Sequence, residues 1–179
     1  MNAGVWLSLL LLLLVLWGLS SFRRSRSQRR HRRYQRQADR TLVRLPQLRD
    51  DAARLVYLRK INPYVFEEML LTAFARQGYR IKRNVSYSGD GGIDGQVWIN
   101  DQRWLIQAKR YASCIQSSHV RDFGELVRHE CCRGFFVHTG RTGEVSREAL
   151  FAAPEITLIS GNRLLKLLSG DTGWQSREK

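Results

Sequence analysis

Asp94, Gln107 and Lys109 are spaced so that a single turn of the chain would bring them together. Asp94 closes the run Gly89-Asp90-Gly91-Gly92-Ile93-Asp94. Two β-rich runs follow, Gly95 to Ile99 and Gln102 to Ile106, and the Asn100-Asp101 pair between them is a hairpin signal. If Asn100 and Asp101 form a two-residue turn, Ile99 faces Gln102 and Asp94 lies opposite Gln107. Period-two alternation puts Lys109 on the same face as Gln107. Such a patch offers oxygen ligands for a hard cation beside an ammonium that can handle protons. A loop one residue longer or shorter would send the three groups to opposite faces.

The elements that must position this patch can be read on either side of it. Asn62-Pro63 has the form of an N-cap followed by proline at the first helical position. The helix should run to about Gln77, where Gly78 stops it. Phe66, Met69, Leu70, Ala73 and Phe74 make its apolar face. At about 100° per residue Glu68 points away from that face into solvent, whereas Glu67 sits at its edge and can reach a site beside the sheet. A short strand is expected over Arg80 to Val85, ahead of the glycine-rich turn and the hairpin. Then come a helix from Ser118 to Cys131, a buried strand from Gly134 to His138 and a helix from Ser146 to Ala152. A strand from Ile156 to Ile159 and a helix from Gly161 to Leu168 complete the series. This order describes an α/β fold, a mixed sheet flanked by helices.

Four segments carry a family resemblance: Asn62-Pro63-Tyr64-Val65-Phe66-Glu67-Glu68, Gly78-Tyr79, the glycine-rich turn ending at Asp94, and Gln107-Ala108-Lys109-Arg110-Tyr111. Together they resemble the catalytic domain of Mrr-type restriction endonucleases, within the PD-(D/E)xK nuclease superfamily. The resemblance covers Asn62 to Leu168. It implies a restriction-endonuclease-like fold and a metal-dependent nuclease acting on DNA. The family's central acid falls on Asp94. Its last motif, usually Glu-x-Lys and often Gln-x-Lys in this branch, falls on Gln107 and Lys109. Its helix acid falls on Glu67, the residue that helical geometry also favours. Asp90, in the turn near the site, is a candidate helper.

Phosphodiester hydrolysis fits these side chains. Asp94, Glu67 and the amide oxygen of Gln107 would hold Mg²⁺, with waters left exchangeable. Lys109 would position the attacking water, or help deprotonate it, and offset the charge that builds on the phosphate. Because Gln107 is neutral, metal affinity should be modest and lean on substrate phosphates. Arg110, Tyr111 and Arg121 are candidates for contacts with DNA phosphates or bases. His138 is read as a structural histidine at the end of a buried strand.

Charge divides the chain unevenly. The formal net charge is +14, yet ten of the thirty Lys and Arg lie between Arg23 and Arg44 with a single acid, Asp39. Ala3 to Phe22 is almost wholly apolar, and about twenty residues of helix span roughly 30 Å. Trp6 and Trp17 lie near its ends. With no Lys or Arg before this run and a dense cluster after it, the positive-inside rule predicts a single-pass inner-membrane protein, amino terminus outside and nuclease domain in the cytoplasm. A cleaved signal peptide is the competing reading, which the missing basic n-region disfavours. The arginine segment reads as a topology determinant touching anionic lipid, or as a collector of nucleic acid through phosphate contacts. Helical spacing from Arg40 to Lys60 suggests a connector helix that Pro46 starts or breaks. The expected organisation is therefore an anchor at 1–22, an arginine-rich linker and connector at 23–60, the nuclease domain at 61–168, and a polar, frayed tail at 169–179. Cys114, Cys131 and Cys132 are too few and too irregular for a disulfide framework or a four-ligand zinc site, and the adjacent Cys131 and Cys132 are expected reduced and buried.

The function expected from this reading is a membrane-anchored, Mg²⁺-dependent DNA endonuclease of low sequence specificity, acting by analogy on foreign or modified DNA. Two copies would serve to cut both strands, which leaves a homodimer open. The alternatives are an inactive DNA-tethering module on the same fold and an anchored scaffold whose basic segment touches only lipid.

Overall fold

The computed structural model describes residues 3–84 and 92–175. The chain divides into two compact units, Met1–Tyr34 and Gln35–Lys179. The first unit is the leading part of one helix, α1 (Ala3–Arg44). Trp6 and Leu10 to Leu14 are exposed on it. Among the described residues no helix is long and apolar enough to cross a membrane. This overturns the expected transmembrane anchor and, with it, the inner-membrane placement with the nuclease domain facing the cytoplasm. The apolar run is not a helix of its own; α1 continues from it through the arginines without interruption.

The second unit begins where α1 buries Ala38, Leu42 and, just beyond the helix, Leu45. Pro46 lies in a single 3₁₀ turn, Leu45–Gln47, which separates α1 from α2 (Asp51–Lys60). Asp50 caps α2, its Oδ1 accepting from the Ala53 N–H at 2.7 Å. Asn62 caps α3 (Pro63–Arg76) in the same way, its Oδ1 accepting from the Tyr64 N–H at 3.0 Å. Gly78 follows α3 with φ +87°, a left-handed turn that favours glycine.

Five strands form one mixed sheet in chain order. β1 (Arg80–Lys82), β2 (Gly95–Ile99) and β3 (Gln102–Lys109) are antiparallel neighbours, and β4 (Arg133–His138) and β5 (Ile156–Ile159) continue parallel to β3. Helices α4 (Ser117–His129), α5 (Glu144–Phe151) and α6 (Gly161–Ser169) complete the fold. Alternation along β3 and β4 divides the core. Phe135 stacks on Trp104 and on Phe74 of α3, with ring centroids 4.5 and 5.6 Å apart. The next residue, Phe136, turns to the opposite face, where it packs with Leu105, Val120, Phe123 and Val127. The α/β architecture with a helix-flanked mixed sheet agrees with the expectation; the preceding transmembrane helix does not.

Two local expectations are corrected. Residues Thr172–Gln175 form a 3₁₀ turn with Trp174 only 2% exposed, so this part of the tail is not a frayed polar end. The indole lies edge-on to Phe74 and Phe135, and its N–H donates to Gln77 Oε1 at 2.7 Å. The cysteines are free, but of the adjacent pair Cys131 is exposed and Cys132 only half-buried. Helix α4 ends at His129, and Cys131 lies in the following turn with φ +48°, off the helical face that would have buried it.

Candidate active site

The hairpin between β2 and β3 sets the geometry of the site. Ile99 pairs with Gln102 and Gly95 with Ile106, the register that a two-residue turn requires. Asn100 and Asp101 both adopt positive φ, 49° and 62°. These are the signs of a type I′ turn, and Asn and Asp tolerate them better than most residues. Gly95 admits close packing of α3: a Cβ there would lie 2.6 Å from Leu71 Cδ2.

Asp94 is held against β3 by two bonds that bracket Gln107. Its N–H donates to the Ile106 carbonyl at 2.8 Å, and its Oδ2 accepts from the Ala108 N–H at 2.7 Å. Gln107 is 7% exposed, and its Nε2 donates to the Gly92 carbonyl at 3.0 Å. That bond orients the amide and leaves Oε1 buried without a hydrogen-bond partner among the described residues. Gly92 has φ +87°, and a Cβ there would sit 2.8 Å from Gln107 Nε2, so the turn needs glycine both for its backbone and for the space it leaves. Lys109 ends β3 opposite His138 of β4.

Glu67 enters from α3. Its carboxyl is pushed up to about 8, first by burial, then by the charges of Asp94 and Glu68, against a weaker downward pull from Lys109 and Arg110. Glu67, Asp94 and Lys109 therefore share one electrostatic environment. Two acids that oppose each other's ionisation, with a buried Gln107 amide oxygen that has no hydrogen-bond partner among the described residues, are donors that could hold a hard divalent cation. Among the described residues no group of three or more His, Cys, Asp or Glu could hold a metal ion.

In chelator, Glu67 makes the stability of the fold depend on pH. Burial raises the Glu67 carboxyl from 4.5 in the open chain to about 8 in the fold. The folded state thus retains a proton that the unfolded state releases, and stability falls as pH rises through that interval. Glu67→Gln, which cannot ionise, should match the parent near pH 4.5 and become the more stable protein as pH approaches 8. Thermal melts across that range should show the difference widening to several degrees, roughly 2–4 °C for each kcal/mol. A difference that does not vary with pH would contradict the assignment.

The other expected site residues fall in varied places. Arg110 is turned to the backbone: its guanidinium donates to the Ile61 carbonyl and, at 3.2 Å, to that of Arg59. It fixes the start of α3 against the end of β3. The Tyr111 hydroxyl is hydrogen-bonded to His119 Nδ1, and burial raises its pKa. Arg121 is exposed on α4, its Nη1 donating to Ser117 Oγ at 3.1 Å. Asp90 lies outside the described residues. His138 is fully buried, which lowers its pKa to about 4 and keeps the ring neutral; its Nε2 is 3.3 Å from Thr142 Oγ1.

Glu68 departs from expectation. It is 2% exposed and paired with Arg83 Nε at 2.7 Å, not solvated. Arg83 arrives from beyond β1, and its Nη2 also reaches Thr72 Oγ1 at 3.4 Å. Helical periodicity could not disclose a partner from another element. Asn84, also missed, donates through Nδ2 to the Ile93 carbonyl and secures the residue before Asp94. Its position between a strand and a glycine-rich turn was the available signal.

The family model Mrr_cat, described as restriction endonuclease, matches residues 58–168, more than half of the chain. No curated protein and no solved structure matches.

Proposed function

Because the chain belongs to the Mrr_cat restriction endonuclease family, we propose that it is a Mg²⁺-dependent endonuclease that hydrolyses phosphodiester bonds of DNA, with residues 61–168 as its nuclease domain. The observation that carries this reading is the buried Oε1 of Gln107, without a hydrogen-bond partner among the described residues, beside an Asp94 carboxylate anchored on the neighbouring Ala108 N–H. Asp94, Glu67 and Gln107 would hold the ion. When bound, it supplies charge neutralisation at the phosphate and a more acidic water. Asp94 has the firmest placement, since both its backbone and its side chain are tied to β3. Glu67 contributes a carboxylate whose ionisation a cation would favour. The Lys109 ammonium orients the attacking water and offsets negative charge on the phosphate as the bond to the leaving oxygen breaks. Cleavage of both strands calls for two such sites, which a homodimer would supply. Action on foreign or modified DNA is the biological role we assign, by analogy with the family's name.

A second reading has its own support: the amide at position 107 and the absence of a three-acid cluster among the described residues suit a DNA-binding module that does not cut. Supercoiled plasmid incubated with the protein distinguishes the two. Nicked and linear products with Mg²⁺, and none with chelator, are expected. Retarded but intact plasmid under every divalent ion would favour the binding module.

A further inference from the structure

Helix α1 carries an arginine stripe that the catalytic reading does not use. Within the second unit Arg36, Arg40 and Arg44 follow one another at intervals of four residues, and all three are exposed. At about 100° per residue they occupy a stripe roughly 80° wide. Of the residues that α1 buries, Ala38 and Leu42 lie on the opposite side and Thr41 on the flank. The stripe thus faces outward because the apolar side of the same helix is spent on the core. The nearby acid, Asp39, is paired with Arg76 at 2.7 Å and does not neutralise it. No ion pair involving Arg36, Arg40 or Arg44 occurs among the described residues, and Arg44 lies over the Tyr57 ring at 5.5 Å. With no helix among the described residues able to cross a membrane, the stripe is not explained as a topology signal.

We propose that the Arg36-Arg40-Arg44 face of α1 is a docking surface for the phosphate backbone of duplex DNA, separate from the residues that would cut it. This rests on the nuclease reading for the choice of polyanion. Three arginines along roughly 12 Å of helix can each engage a separate phosphate of a duplex, which carries one charge per about 1.7 Å of its axis. Guanidinium groups bind phosphate through paired N–H donors, and such contacts carry affinity without reading sequence. Binding of this kind releases counterions, and the slope of log K against log salt steepens by about 0.9 for each phosphate neutralised.

The test measures binding, not cleavage, so failure of the stripe and failure of the nuclease reading are separable. Fluorescence anisotropy of a labelled duplex, in chelator, is recorded for the full chain from 50 to 200 mM salt. The triple variant Arg36→Gln/Arg40→Gln/Arg44→Gln should bind more weakly by tenfold or more, with a slope shallower by about 2 to 3. The Lys triple variant, which keeps the charge, should retain most of the slope. If loss of the Arg44–Tyr57 contact impairs folding, the double variant Arg36→Gln/Arg40→Gln should still reduce the slope by about 2. An unchanged affinity and slope would overturn the proposal. So would arginine-dependent binding to vesicles of phosphatidylcholine with 30% phosphatidylserine while duplex binding stays unaffected.

Discussion

Asp94→Asn should lower the rate of Mg²⁺-dependent plasmid cleavage by roughly 10³-fold or more while the protein keeps its fold. Asn preserves the size of the side chain, and its oxygen can still accept from the Ala108 N–H that Asp94 engages at 2.7 Å. What is lost is the charge. The proposed donor set has only two ionisable acids, Glu67 and Asp94. Removing the Asp94 charge leaves a single carboxylate to attract a divalent cation, and burial opposes the ionisation of that one. Lys109→Ala should fall by about 10²–10⁴-fold, the usual span for a positioned proton-handling group. Circular dichroism and thermal melts establish that both variants are folded, and gel assays give the rates. Variants that cleave within tenfold of the parent would place the chemistry elsewhere.

Trp174→Ala should cost about 3–5 kcal/mol of stability, the range for truncating a large buried aromatic. Trp174 is 2% exposed and packs against Phe74, Tyr79 and Phe135. It also satisfies Gln77, whose Oε1 accepts the indole N–H at 2.7 Å and whose Nε2 donates to the Leu167 carbonyl at 3.0 Å. The tail residue thus closes the junction between the end of α3 and α6. Denaturant unfolding should show a lowered midpoint, and Tm should fall by roughly 10 °C. Superimposable transitions would contradict the packing described.

These two residues differ in how far the sequence revealed them. The register around Asp94 was legible because it depends on local chemistry: two residues tolerant of positive φ between two β-rich runs define one turn and one pairing. The bounds of α3 were legible for the same reason, from a capping Asn62, Pro63 and Gly78. Trp174 was not legible, since a lone aromatic in a polar tail has no periodicity, and its pocket is assembled from α3 and β4. The Glu68–Arg83 pair escaped because helical spacing reports direction on one helix and not what another segment brings to it. Glu67 at the edge of the apolar face was within reach of the same reasoning, but its raised pKa comes first from burial in the packed fold and then from the Asp94 charge, neither of which helical spacing reports. The apolar start of α1 read as an anchor from its composition, yet among the described residues no helix is long and apolar enough to cross a membrane. Arginine is a good helix former, so the helix continues through the charged residues.

Anomalous scattering from a crystal soaked in Mn²⁺ locates the divalent cation. One strong peak is expected within bonding distance of an Asp94 carboxylate oxygen and of Gln107 Oε1, lost in Asp94→Asn crystals. A peak bound only by other residues, or none at saturating Mn²⁺, would contradict a divalent-cation site at the end of this hairpin.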